Sequence, residues 1–162
     1  EGIDVAGDQA AIKVTVESLN NCGFYDERKI VVQRGEEDVK VVTHRHFTAW
    51  PDHGVPANRD GSMNVDQVIK YALLNLDQAE LVHCSAGVGR TGVTLAIKEA
   101  LRRFRSNAEA FKAADSLALT SEIVLALKRD RGESCVQTDK QLEFVNNAIA
   151  KIQTFSTIEA LR

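Results

Sequence analysis

The sequence predicts an α+β (mixed α/β) fold: a twisted, mostly antiparallel or mixed sheet flanked by helices, with a functional loop between a central strand and a helix N-terminus. Three observations carry this. Apolar and polar residues alternate with the period of a strand in several stretches before Phe47. From Val65 onward apolar residues recur instead at helical spacing. Between the two regimes of the second half lies His83-Cys84-Ser85-Ala86-Gly87-Val88-Gly89-Arg90-Thr91-Gly92, a glycine-containing turn between an apolar lead-in and a helix start. Strands first and helices later is the order of an α+β domain.

Taken in order, residues 1–11 are polar and read as loose. Ile12–Glu17 alternates as a strand, and Asn20-Asn21-Cys22-Gly23 is a turn signal. Lys29–Gln33 and Val39–Phe47 are two more β-rich stretches, separated by Arg34-Gly35-Glu36-Glu37-Asp38. Hairpin-like connections make these an antiparallel run of three strands. Trp50-Pro51-Asp52-His53-Gly54-Val55-Pro56 holds both prolines of the chain and must be an ordered loop. Asn64 with Gln67 forms a capping-box start. Val65, Val68, Ile69, Ala72, Leu73 and Leu76 then mark one helix face. Leu81–Val82 reads as the end of a buried strand. Thr91 to about Arg105 is helical, with Val93, Ile97, Ala100, Leu101 and Phe104 on its core face. Ser106 with Glu109 opens another helix, Thr120–Arg129 is helical up to Gly132, and Glu133–Val136 is a loop. Thr138 to about Lys151 is the last helix, carried by Leu142, Val145, Ile149 and Ile152.

The 162 residues suffice for one hydrophobic core, so the chain reads as a single domain over 1–162. With 44% hydrophobic residues, 27% charged residues and a net charge of -3, it has an ordinary globular profile. Mild acidity argues against nucleic acid or an anionic membrane as the main partner. No apolar run approaches a membrane span, and none reads as a signal peptide. The first residue is Glu1 rather than Met, as expected of a fragment or a processed chain. Cys22, Cys84 and Cys135 are far apart and show neither zinc nor disulfide spacing. One reactive candidate among an odd number of thiols suits a reducing, cytoplasmic compartment. His44 and His46 share a strand face and His53 lies in the proline-bounded loop, but no third ligand is placed by spacing. No metal and no cofactor is expected.

The 83–92 loop has its own chemistry. Glycines at 87 and 89 allow close backbone approach, and loop amides with a helix dipole make a cradle for an anion. Arg90 offers a planar fork for two phosphate oxygens. Cys84 stands where the same field favours its thiolate, which lowers such a thiol from about 8.5 to about 3.5–7.5. The loop therefore binds a phosphate group and aims a nucleophile at it.

His83–Gly92 resembles the signature loop of the cysteine-dependent protein tyrosine phosphatases: His-Cys, five residues, Arg, then Ser or Thr. Trp50–Pro56 resembles the acid loop of the same family, Trp-Pro-Asp-x-Gly-Val-Pro, and His46-Phe47-Thr48-Ala49 before it also fits. Gln137-Thr138-Asp139-Lys140-Gln141 resembles the family's glutamine loop, Gln-Thr-x-x-Gln. The resemblance implies catalytic roles for Cys84 (nucleophile), Arg90 (phosphate clamp), Asp52 (general acid, then base) and Gln137 (positioning of water). Residues Ser85, Ala86, Gly87, Val88, Gly89 and Arg90 would hold phosphate. His83, Thr91, Trp50 and Gln141 would support them, and Arg129 would be a basic position near the pocket. The implied reaction is hydrolysis of phosphotyrosine in proteins through a cysteinyl-phosphate.

Uncharged Ser85, Ala86 and Val88 speak against a polyanionic lipid substrate, and the acid and glutamine loops point to the tyrosine-specific branch. An upstream tyrosine-bearing recognition loop belongs to that branch. Only 49 residues precede Trp50 and none matches it, so the resemblance covers roughly Ile12–Ile152, the carboxyl-terminal part of such a catalytic domain. Two alternatives stay open: a phosphotyrosine-binding module of low or no activity, and a dual-specificity phosphatase. Receptor, cytosolic and bacterial effector phosphatases all fit, the last acting in a host cytosol. The oligomeric state is not readable.

Overall fold

A computed structural model describes residues 11–35 and 38–161. The chain divides between Ala49 and Trp50 into two compact units. The loose segment expected at 1–11 lies outside the described residues except for Ala11, and Glu36–Glu37 of the second turn does too.

The first unit is an antiparallel meander of β1 (Ile12–Asn21), β2 (Tyr25–Arg34) and β3 (Asp38–Phe47), ordered β1-β2-β3. All three run longer than the alternating stretches suggested. Asn20 and Asn21 belong to β1, so the turn falls at Cys22–Phe24, with Gly23 at φ +90°. A bulge between Val16 and Ser18 shifts the β1–β2 register. Val14 pairs with Val32, Val16 with Ile30, and Ile30 with Val42, which puts these apolar residues on one face. Arg28 Nη1 lies 3.5 Å from Nδ1 of both His44 and His46.

The second unit is helical: α1 (Val65–Leu73), α2 (Gly89–Ser106), α3 (Ala108–Ala113), α4 (Ser116–Arg131) and α5 (Asp139–Gln153). A 3₁₀ turn, Glu159–Leu161, follows. Helix α2 is its axis and packs against the other four. Its apolar stripe Val93, Ala96, Ile97, Ala100, Leu101 and Phe104 is buried against Val68, Ile69 and Ala72 of α1 and Phe144, Val145, Ala148, Ile149 and Ile152 of α5, which are buried too. Leu142 is 38% exposed, and the buried position beside it is Gln141 instead.

The helix starts differ in detail from expectation. Asn64 caps α1, its Oδ1 accepting from the Gln67 amide at 3.2 Å, but the expected capping box is not reciprocal, because the Asn64 amide donates to the Pro56 carbonyl at 2.9 Å. Helix α3 is capped by Asn107, not Ser106, because Asn107 Oδ1 accepts from the Ala110 amide at 3.0 Å. Helix α4 begins four residues before Thr120, where Asp115 accepts from the Ala118 amide at 2.8 Å. Gly132 ends α4 at φ +101°. The strand expected at Leu81–Val82 is absent: residues 79–84 lie in no helix or strand, and Leu81 is 89% exposed. An extended segment becomes a strand only beside a hydrogen-bonded partner. In this unit the described residues offer just one isolated bridge, Ala57–Met63.

Candidate active site

Every catalytic candidate lies in the helical unit. Residues Ser85–Val88 turn the chain into α2, with Gly87 at φ +74°, a conformation side chains resist. The cap residue Val88 makes no side-chain cap bond, and the first turn of α2 holds no acid. The first helical bond on Val88 comes from Gly92, 3.0 Å from amide N to carbonyl O. The amides ahead of Gly92 are therefore free to serve an anion.

Cys84 is half-buried. Burial pushes its thiol pKa up, but this is outweighed by the polar Thr91 hydroxyl nearby and by the amides of Thr91, Gly87 and Val88. The result is a fall from the ordinary 9.0 to about 7. Donors favour the thiolate because they stabilise only the charged form. The Thr91 hydroxyl is itself buried and has no partner at ordinary hydrogen-bond length. Its electrostatic influence is on the Cys84 sulfur.

Arg90 joins this loop to the Trp50–Pro56 loop. Its Nη2 meets Asp52 Oδ1 at 2.9 Å and its Nη1 donates to the Trp50 carbonyl at 3.3 Å. Arg90 Nε is a buried donor without an acceptor, a capacity a phosphate oxygen can take up. Asp52 is 64% exposed and its other oxygen lies 3.7 Å from His53 Nε2. The loop carrying it is well anchored. Trp50 is buried against Phe144, and its Nε1 donates to the Gly54 carbonyl at 3.1 Å. His53 sits at φ 55°, which bends the chain beside Asp52.

The glutamine pair closes the arrangement. Thr138 caps α5 by accepting from the Gln141 amide at 3.2 Å. Buried Gln141 accepts from the Gln137 amide at 2.8 Å and donates to the Gly54 carbonyl at 3.4 Å. A Cβ added at Gly89 would fall 2.9 Å from Gln141 Nε2 and 3.0 Å from Gln137 Oε1, so both side chains lie against the loop's end. Gln141 thus touches both the acid-bearing loop and the glutamine loop.

Of the residues singled out by sequence, Asp52 and Trp50 meet Arg90, and Gln137 and Gln141 lie against the adjoining Gly89. His83 lies on the loop, its Nδ1 3.3 Å from the Cys84 carbonyl. Arg129 is not at the site: it is 79% exposed beside Asp130. Arg131 takes that place, donating to the Gly87 carbonyl at 3.0 Å. Helical phase decides between two arginines two apart, and the sequence alone did not fix it. Val136 was also missed. Its amide donates to the Val88 carbonyl at 3.3 Å, and it holds φ 58°, strained for a β-branched residue. No composition signal marks such a residue. Gly92 has a readable role only in three dimensions, since a Cβ there would meet the Val136 amide at 2.6 Å. Among the described residues no group of three or more His, Cys, Asp or Glu is placed to hold a metal ion. No described helix is long and apolar enough to cross a membrane.

Comparison with known proteins gives this geometry its relatives. The protein-tyrosine phosphatase family model matches residues 5–151. Human receptor-type tyrosine-protein phosphatase R is 30% identical over 160 residues, covering 93% of this chain and 22% of the relative. The Drosophila melanogaster tyrosine-protein phosphatase corkscrew is 32% identical over 142 residues, 82% of this chain and 16% of the relative. Among solved structures, the Trypanosoma brucei protein tyrosine phosphatase TbPTP1 superposes with TM-score 0.69 at 26% identity, over 90% of this chain and 51% of its own. The chain thus spans about a fifth of these curated relatives and about half of the solved chain. With most of its length matched by that family model, the chain belongs to the protein-tyrosine phosphatase family.

Proposed function

We propose that the chain is part of a single catalytic domain that hydrolyses phosphotyrosine in proteins in two steps, with Cys84, Arg90, Asp52 and Gln137 as its catalytic residues. The observation that carries this reading is the Asp52–Arg90 pair at 2.9 Å beside a loop whose cysteine has its pKa lowered to about 7. It brings acid, anion clamp and nucleophile into one structural unit.

The amides from Ser85 to Arg90 and the Arg90 guanidinium take the three non-bridging oxygens. They stabilise charge spread over a loose phosphoryl transition state. The phosphate draws the Arg90 fork away from Asp52, which is then free to face the leaving group. Cys84 attacks phosphorus in line, the phosphorus–oxygen bond breaks, and protonated Asp52 gives its proton to the departing tyrosine oxygen. Gln137 orients a water that attacks the cysteinyl-phosphate. Asp52 accepts its proton, the sulfur–phosphorus bond breaks and inorganic phosphate leaves. Thr91 stabilises the departing thiolate. The uncharged Ser85, Ala86 and Val88 support a phosphate monoester rather than a polyanionic lipid headgroup, and thiol usage supports a cytoplasmic site of action.

Hydrolysis of p-nitrophenyl phosphate tests the reading. Turnover that is lost when Cys84 is alkylated is expected. Tight phosphopeptide binding with no turnover would contradict it and indicate a binding module.

A further inference from the structure

Lys98 has no part in the chemistry above, yet its side chain is only 3% exposed. A buried ammonium persists only when paired. Its Nζ donates to the Asn75 carbonyl at 3.3 Å and forms an ion pair with Glu80, which is itself 23% exposed. Two further cations on α2 reach the same segment. Arg102 Nη2 donates to the Leu76 carbonyl at 3.5 Å, and Arg105 pairs with Asp77. Positions 98, 102 and 105 form one stripe of the helix. The segment they hold links α1 to the run into Cys84. Beyond Glu80 no strand ladder guides that run, because residues 79–84 form no regular structure. The other flank of the loop needs no such help, since it continues directly into α2 at Gly89.

We propose that Lys98 is a positioning residue for the Cys84 loop: through the ion pair of its buried ammonium with Glu80 at the surface it fastens the loop's amino-terminal flank to the helix whose N-terminus forms the other flank. Glu80 stands four residues before Cys84, at most about 14 Å of extended chain. The ion pair therefore bounds how far the sulfur can drift from the amides that stabilise it. The inference rests on Cys84 being the reacting group of the proposed phosphatase.

Two variants and two readouts test it. Lys98→Met is expected to lower kcat on p-nitrophenyl phosphate by about ten- to a hundredfold, with KM within about threefold. Alkylation of Cys84 by iodoacetate at pH 7 slows several-fold in the same variant. Lys98→Arg keeps the charge and recovers most of both rates. The double variant Lys98→Met/Glu80→Leu removes both charges of the pair, the buried one and its surface partner. It keeps the parent's thermal midpoint within a few degrees and remains slow, because packing is restored without the tether. Should Lys98→Met fail to fold, the double variant decides the matter. Parental alkylation and turnover in either folded variant would overturn the proposal. A parent that alkylates rapidly but turns over no p-nitrophenyl phosphate would instead sink the phosphatase reading, and the alkylation comparison would still decide the role of Lys98.

Discussion

Among the described residues, four of the five α-helices begin on a side chain that closes them, and one does not. Asn64, Asn107, Asp115 and Thr138 each accept the amide hydrogen of the third residue on, at 2.8–3.2 Å. Acids occupy the first turns of α1, α3 and α5, at Asp66, Glu109 and Asp139. Helix α2 has a valine at its cap position and no acid in its first turn. A side-chain cap contributes about 1 kcal/mol to stability. The helix that forgoes it is the longest and the most central, so deep burial of its apolar face offsets the loss. What it keeps in return is a set of amides and a positive helix end directed at Cys84. At capped helix starts the donors serve the fold; at the open one they are available to a ligand and to a thiolate.

The most severe way to erase this difference is to place a carboxylate at the open end. Val88→Asp sets a negative charge where the proposed function seats a phosphate. It should lower kcat/KM on p-nitrophenyl phosphate by about a thousandfold, since like charges brought together cost several kcal/mol. A variant with parental kcat/KM would mean that the anion does not bind at α2. Asp52→Ala leaves the cradle intact and removes only the proposed proton donor. Steady-state kcat should fall about 10²–10⁴-fold while phosphopeptide affinity is retained. Loss of binding without loss of kcat would assign Asp52 to recognition instead.

A smaller effect concerns the thiol itself. Cys84 has its pKa lowered by the amides and hydroxyl of the open end, so its alkylation rate should rise with a midpoint near pH 7 rather than 9.0. Thr91→Ala should move that midpoint upward, because a polar hydroxyl that favours the thiolate is gone. The sign for stability follows. The folded state favours the thiolate, so this contribution is complete above the unfolded thiol value and is lost as pH falls through about 7. A midpoint unmoved by Thr91→Ala would remove the hydroxyl from the account. Smallest of all, Asp115→Ala at a capped start should cost about 1 kcal/mol in urea unfolding and leave kcat unchanged.

Much of the site was legible in the sequence because its parts are local. The spacing of Cys84, Gly87, Gly89, Arg90 and Thr91 is a loop written in consecutive residues, as are Trp50–Pro56 and Gln137–Gln141. Periodicity likewise located α1, α2 and α5. What escaped depends on contacts between distant residues. Leu81–Val82 is apolar enough for a strand, but strand formation needs a neighbour that composition does not reveal. Helix α4 begins before Thr120 because the Asp115 side chain caps it at Ser116, and one Asp ahead of a single turn is a weak signal in sequence. Arg131 and Arg129 differ by helical phase alone. Lys98 reads as an ordinary solvated lysine until Glu80 and Asn75 are seen folded onto it.

The central claim is that the open end of α2 arms Cys84 to accept a phosphoryl group. Acid quenching of the protein during turnover of a ³²P-labelled aryl phosphate, followed by peptide mapping, tests it most directly. The account predicts acid-stable label on the Cys84 peptide, increased by Gln137→Ala because breakdown of the cysteinyl-phosphate slows, and absent from Cys84→Ser. Turnover without label on Cys84, or label that persists in Cys84→Ser, would contradict it.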